Sequence, residues 1–323
     1  MKLIAVEEHF LTNEVSEQWK KYSKDDPTSN LHLGEVEDRL DDISEARLNL
    51  MDETGVDIQV LSLTSPALHN IQNGSVQLAR RTNDYLSKII EKYPERFQGF
   101  ATLPMQSPKD IVKELEHSVN SLDFKGAMLC GRTGEKNLDH KDYWELFECA
   151  ESLDVPLFIH PQIPQKAIRD IYYSGFDDFT NLAFSTFGLG WHYEAGIQFI
   201  RLVLAKVFDR FPKLQIVLGH WGEVILFYTE RLASLSKVSK LDKAFIDYVQ
   251  QNLYVTSSGM FSSEYLKRSV EIIGIDRILF SQDYPYQYRP GRDAQNFLQN
   301  LNLSKEDKEK FAFKNWESLI NRS

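Results

Sequence analysis

Cysteine is scarce: the 323-residue chain has only Cys130 and Cys149, too few for a disulfide framework or a cysteine-built structural zinc module, a usage that suits a reducing compartment. Positive charge is also short. Lys and Arg total 37 against 47 Asp and Glu, a formal charge of -10, so a nucleic-acid or anionic-membrane partner has no electrostatic basis. No run approaches the roughly 18 apolar residues of a membrane span, and MKLIAVEEHF puts acids where a signal peptide's apolar region would continue. A cytoplasmic protein is the expectation. No nicotinamide-binding glycine fingerprint is visible, and LCGRTGEK lacks the spacing and the terminal Gly-Lys-Ser/Thr of a phosphate loop. No organic cofactor is therefore expected. Neither a repeat, a glycine-serine linker nor a composition break divides residues 1–323, which read as one domain.

What is present argues for a folded enzyme scaffold. The composition, 42% hydrophobic and 12% aromatic, opposes disorder, and a chain of this length can bury roughly 75% of its unfolded surface. Eight apolar or alternating runs recur: KLIAVEE, DIQVLSLT, FQGFATL, FKGAMLC, VPLFIH, LQIVLGH, NLYVTSS and RILFSQD. Amphipathic helical stretches separate them, including 43–52, 76–93, 110–120, 143–153, 195–208 and 265–273. This rhythm predicts parallel strands with helical crossovers, an α/β fold of the (β/α)8 TIM-barrel type. Gly55, Gly274 and the Tyr93-Pro94 step sit where helices should stop, and Ser304 suits the cap of a closing helix. Residues 11–40 and 161–190 read as long loops, the second crowded with Tyr172, Tyr173, Phe176, Phe179, Phe184 and Phe187. Such rings need burial, in a substrate cavity or a subunit interface.

Barrel enzymes assemble their sites where strands end. The first run closes with Glu7 and His9, whose spacing of two puts both on one face while Glu8 points away. His160 closes the fifth run, His220 the sixth and Asp283 the eighth. Any one of them alone reads as a capping or structural group. Together, imidazole nitrogens and carboxylate oxygens make a suitable set for a first-row divalent metal, zinc or manganese. Glu223, three residues past His220 in GHWGE, either approaches that imidazole if a helix starts there, making His220 a proton shuttle, or simply favours the helix N-terminus.

Six motifs then carry a family resemblance over nearly the whole chain: AVEEHF, FQGFATLPMQSP, VPLFIHPQ, FDRFPKLQIVLGHWGE, YVTSSG and DRILFSQDYPY. The chain resembles the amidohydrolase superfamily, in its amidohydrolase-2 branch of aminocarboxymuconate-semialdehyde decarboxylase-like enzymes. Within that branch it is similar to nonoxidative ortho-hydroxybenzoate decarboxylases such as gamma-resorcylate, 2,3-dihydroxybenzoate and salicylate decarboxylases. The resemblance implies a distorted barrel of the metal-dependent hydrolase type, with Glu7, His9, His160 and Asp283 as metal ligands and His220 with Glu223 as a proton relay. It implies one divalent metal, Zn2+ or Mn2+, per subunit, because the fourth run ends in Met128, Leu129 and Cys130 where binuclear relatives carry a carboxylated lysine, and Lys125 comes too early.

By the same analogy the substrate is a small aromatic carboxylic acid. Asp283 donates a proton to the ring carbon that loses carbon dioxide, and the reaction is reversible at high bicarbonate. Phe10 and Tyr284, beside proposed ligands, define the ring slot or else pack in the core. Arg231 matches an arginine that approaches a neighbouring subunit's site, or is a surface ion-pair partner. A homodimer or homotetramer is implied. The same ligands permit metal-assisted hydrolysis of a lactone or amide with Asp283 as base; a nonenzymatic binding protein is the remaining reading.

Overall fold

A computed structural model describes residues 1–22 and 26–322. The strands are β1 (Ile4–Phe10), β2 (Ile58–Leu63), β3 (Phe97–Gly99), β4 (Ala101–Thr102), β5 (Ala127–Cys130), β6 (Leu157–His160), β7 (Ile216–Leu218), β8 (Leu253–Thr256) and β9 (Ile278–Leu279). Each of the eight runs supplies one stave, and β3 and β4 divide the third between two neighbours. Phe100, between them, donates its N–H to Leu61 O while Ala101 donates to Gly126 O, so this stave leaves β2 and joins β5. All ladders are parallel, in the orders β1-β2-β3 and β4-β5-β6-β7-β8-β9. Val6 N–H to Phe280 O (3.0 Å) and His9 N–H to Tyr284 O (2.7 Å) close the ring. The result is a distorted (β/α)8 barrel.

Helices α1 (Asn13–Tyr22), α2 (Glu35–Asp41), α3 (Glu45–Thr54), α4 (Ser75–Lys92), α5 (Pro108–Asn120), α6 (Trp144–Ser152), α7 (Lys166–Tyr172), α8 (Asp178–Ser185), α9 (Gly190–Leu204), α10 (Val207–Arg210) and α11 (Ile225–Leu232) surround or cover the staves. Gly55 ends α3 with φ +75°, a conformation in which a Cβ is strained. The two expected loops are largely helical. Residues 11–40 hold α1, a 3-10 turn over Pro27–His32 and α2, with 23–25 outside the described residues; residues 161–190 hold α7 and α8. Polar composition hid the first pair because each helix buries only a narrow stripe, such as Val15 and Trp19 in α1.

Ile4, Val6, Val60, Phe100, Met128, Phe158, Val217, Tyr254 and Leu279 pack together inside the barrel, and Trp316 and Leu319 of the closing helix plug its base. Ser304 caps that closing segment by accepting from Asp307 N–H at 3.0 Å. Burying an aromatic ring as fully as Trp316 is buried stabilises the fold by about 2–3 kcal/mol. This apolar plug fills one end of the barrel. The polar strand ends are left to the other.

Candidate metal centre

A bulge in β1 sets the direction of its side chains. Ala5 pairs with Gln59 but Glu8 with Leu61, so β1 carries one extra residue over this interval. Ile4 and Val6 therefore fill the barrel below the bulge, while above it Glu7 and His9 turn inward and Glu8 and Phe10 outward. His160 follows Phe158 at a spacing of two on β6, and Asp283 lies four past Leu279, so both continue an inward-facing row. Glu7, His9, His160 and Asp283 are all buried and offer ligand atoms within 4.8 Å of one another.

The donor chemistry fits a divalent cation. Glu7 Oε2 accepts from Thr256 Oγ1 (2.8 Å), Ser258 Oγ and Ser281 Oγ (3.3 Å), whereas Oε1 has no hydrogen-bond partner. Gly219 makes room for this carboxylate, since a Cβ there would lie 2.7 Å from Oε1. His9 holds Ser62 Oγ at Nδ1 and leaves Nε2 unbonded, 3.3 Å from Asp283 Oδ1. His160 donates from Nδ1 to Pro161 O (2.9 Å), which leaves the lone pair on Nε2. Burial pushes His9 down to about 4 and His160 well below the usual histidine range, so both rings are neutral, the state that ligates a metal. Burial raises Glu7, and raises Asp283 to about 7 against the opposing pull of His220 and His192. Two unpartnered buried atoms aimed at one point are costly unless a cation completes them.

His220 opens a turn in which four consecutive residues, His220, Trp221, Gly222 and Glu223, have positive φ (51°, 59°, 80° and 56°). Such backbone is sparsely populated for bulky residues and persists where its surroundings over-determine it. Here Ser258 Oγ accepts from His220 N–H, Thr256 O from Trp221 N–H and Gly219 O from Gly222 N–H. The turn folds Glu223 back so that Oε1 meets His220 Nδ1 at 2.9 Å. Of the two roles open to Glu223, this contact is the one the turn makes, and α11 starts only at Ile225. Burial opposes charge on His220, but Glu223, Glu7 and Asp283 raise it to about 10. Lys125 is remote from the cluster and pairs with Asp123 at 2.6 Å.

A cavity of about 260 Å³ opens over these groups, walled by Leu31, Phe187, Trp191, Met260 and Tyr286 beside His160, His220 and Asp283. The two expected ring-slot residues are not among its walls. Phe10 points outward from β1 into the core, and Tyr284 lies under the Arg47 guanidinium at 4.5 Å, because strand alternation turns residues adjacent to inward ligands away. Tyr286, two residues further, takes the place assigned to Tyr284; its hydroxyl is fixed between Thr64 Oγ1 (2.5 Å) and His32 Nδ1 (2.7 Å). Arg231 is exposed on α11 and lines no part of this chain's cavity. The loop aromatics divide: Phe187 and Trp191 wall the cavity, while Tyr172, Phe176 and Phe179 are exposed.

Sequence reasoning missed His192. At the start of α9, its Nδ1 lies 2.8 Å from Glu223 Oε2, so Glu223 is held between two imidazoles. The available signal was positional, since a histidine in the first turn of a helix opposes the helix dipole unless a carboxylate offsets it. The hydroxyls around Glu7, from Thr256, Ser258 and Ser281, were also missed, because small neutral side chains give no charge pattern.

The profile of the family described as Amidohydrolase matches residues 28–316. A gamma-resorcylate decarboxylase of Polaromonas sp. is 34% identical over 98% of this chain and 98% of its own length. The crystal structure of a dihydroxybenzoic acid decarboxylase from Polaromonas sp., with bound manganese and the inhibitor 2-nitroresorcinol, is 32% identical, covers 100% of this chain and 98% of its own, and superposes with a TM-score of 0.84. A 5-carboxyvanillate decarboxylase from Novosphingobium aromaticivorans, complexed with manganese and 4-hydroxy-3-methoxy-5-nitrobenzoic acid, is 29% identical, with coverages of 99% and 96% and a TM-score of 0.90.

Proposed function

The chain belongs to the amidohydrolase family, and from that premise we propose that it is a metal-dependent nonoxidative decarboxylase of an ortho-hydroxybenzoate-type aromatic acid. The observation that carries the reading is the buried Glu7, His9, His160 and Asp283 cluster, with unpartnered atoms on Glu7 and His9, at the floor of a cavity walled by rings. These four residues would hold one divalent cation, Mn2+ or Zn2+, which when bound would supply positive charge that stabilises developing phenolate charge. Phe187, Trp191 and Met260 exclude water and orient a flat ring. Asp283, which lines the cavity beside the ring, passes a proton to the ring carbon as the carboxylate departs as carbon dioxide. His220, charged against Glu223, supports proton return to that site.

Tyr172, Phe176 and Phe179, and separately Phe227 and Tyr228 on α11, are exposed rings that favour a homodimer or homotetramer, and Arg231 follows on the same helix. Two free buried thiols agree with a cytoplasmic setting. Among the described residues, no helix is long and apolar enough to cross a membrane.

The test is to incubate manganese- or zinc-loaded protein with a panel of 2-hydroxybenzoates, 5-carboxyvanillate and simple lactones, following carbon dioxide and phenol. The expected result is release of both from a 2-hydroxybenzoate, with kcat lowered at least about 10²-fold in Asp283→Asn. Lactone opening without carbon dioxide rejects the reading, and an Asp283→Asn protein that keeps metal and near-wild-type decarboxylation rejects Asp283 as the proton donor. Light scattering of the same preparation reads the subunit number.

A further inference from the structure

Loss of carbon dioxide from an aryl carboxylate consumes one proton per turnover: the carbon–carbon bond breaks, its electron pair stays on the ring carbon, and that carbon takes H⁺. Glu7, His9, His160, Asp283 and Glu223 are all buried, and a substrate ring seated in the cavity covers the opening through which water would otherwise reach Asp283 and His220. A route to solvent is therefore required. It has to end on a side chain that touches both water and the buried pair.

His192 meets that condition. Its side chain is 21% exposed, against 0% for Glu223 and 12% for His220. Nδ1 lies 2.8 Å from Glu223 Oε2, and Nε2 lies 3.2 Å from the carbonyl oxygen of Phe187 at the cavity wall. A carbonyl accepts only, and the carboxylate beside Nδ1 is already engaged through its other oxygen by His220. Both ring nitrogens of His192 therefore face acceptors, and the ring satisfies both only as a donor at each, that is, as an imidazolium. The charged and titratable groups facing it are Glu223 and His220 on the turn after β7, with Asp283 beyond them.

We infer that His192 is a positioning residue for the decarboxylation, the solvent-side end of a His192–Glu223–His220 relay that clamps Glu223 and returns one proton per turnover from water to the cavity. His220 gives a proton to the cavity from Nε2 and, once its ring turns the vacant nitrogen to Glu223, takes the proton that His192 Nδ1 has passed to that carboxylate; the neutral His192 ring, turned in the same way, is recharged from solvent at the rim. A second metal at the same three residues is the competing use of the cluster, since their ligand atoms also lie within 4.8 Å of one another. It is disfavoured because both Glu223 oxygens and both Nδ1 atoms are already committed to each other.

This inference rests on the decarboxylase reading, so its test has one arm that needs turnover and one that does not. In the first, His192→Ala and His192→Gln are compared with wild type on whichever 2-hydroxybenzoate the wild type turns over. The expected result for both is a kcat about 10–100-fold lower with KM within about 3-fold and one metal per chain retained. Added imidazole restores His192→Ala, while Gln, which can hold Glu223 but cannot carry a proton, leaves turnover slow. Wild-type kcat in His192→Ala, a loss that imidazole does not touch, or the disappearance of a second metal equivalent overturns the inference. In the second arm, spectra of histidine-15N-labelled protein, with His192 assigned by its loss in His192→Gln, read the ring directly. Two protonated nitrogens, one for each of the acceptors the ring faces, are expected even if no 2-hydroxybenzoate is turned over, in which case only the decarboxylase reading fails. A neutral ring overturns the relay.

Discussion

Glu7 and Glu8 are neighbours in β1, both fully buried, and burial raises the proton affinity of both. Their surroundings differ in one respect. Glu8 faces outward, and each of its oxygens has a donor: Gln282 N–H at 2.8 Å and Gln59 Nε2 at 3.2 Å. Behind them Arg47 donates to Gln59 Oε1 and to His9 O, both at 2.7 Å, and stacks over Tyr284. Glu7 faces inward with one oxygen held by three hydroxyls and the other unbonded. A buried carboxyl whose hydrogen bonds are complete belongs to the fold; one left half complete, beside a histidine in the same condition, is kept for something that binds. The outer network also serves the inner one, since Arg47 ties the backbone of His9 in place.

If this contrast holds, substitutions on the two faces should fail in different ways. The largest effect is expected for Glu7→Gln, which removes a charged donor atom while keeping the shape. Metal affinity should fall by more than the about 100-fold typical of losing an outer partner of a ligand, and decarboxylation with it. Wild-type protein should lose thermal stability on chelation, as linkage requires of a ligand that binds only the folded state. Glu7→Gln should show almost no such loss, and in metal-free protein should be as stable as wild type or more so. Metal analysis and melting curves with and without chelator check this; equal metal content in the two proteins would break the contrast.

Arg47→Met comes next and should fail in the opposite sense. It leaves Gln59 Oε1 and His9 O short of a buried donor and Glu8 without the positive charge behind it, and breaking a buried charged network in this way costs about 3 kcal/mol. Urea unfolding should reveal that loss, with one metal per chain still bound. A variant that unfolds no more easily but sheds its metal would place Arg47 on the wrong side of the comparison.

How much of this was legible beforehand follows the same division. The eight apolar runs reveal the staves because burial on both faces of a parallel strand leaves a continuous apolar signal. The inward pair Glu7 and His9 is readable from a spacing of two, and His160 and Asp283 from polar residues ending apolar runs. The bulge that keeps Ile4 and Val6 inside as well as Glu7 and His9 is invisible, because an extra residue in one strand is defined only by its partner. So is the left-handed course of residues 220–223, since His220, Trp221 and Glu223 take positive φ against their own preference under hydrogen bonds from β8 and the residues after it. His192 stands 31 residues before the Glu223 it meets, and nothing local links them. For Tyr284 the sequence leaves ring slot and packing both open, and pleating gives the packing; Tyr286 reaches the cavity only because the chain leaves the barrel beyond Asp283, where alternation no longer says which ring faces inward.

The smallest expected effect concerns the hydroxyls that distinguish Glu7 from a merely buried acid. Ser258 Oγ both bonds Glu7 Oε2 and accepts the backbone N–H of His220, so it ties the ligand strand to the relay turn. In Ser258→Ala, Thr256 and Ser281 still hold Oε2, and the carboxylate keeps its place with more freedom to rotate. Metal affinity should therefore fall only about 10–100-fold, and saturating metal should restore most of the activity, which Glu7→Gln cannot recover. What saturating metal leaves unrestored measures the second tie, through the His220 N–H, because a loosened turn would misplace Glu223 however well the metal is held. Titrating Mn2+ into the two variants side by side separates a ligand from the group that aims it, and a Ser258→Ala protein as dead as Glu7→Gln at every metal concentration would mean that the hydroxyls, not the carboxylate, set the site.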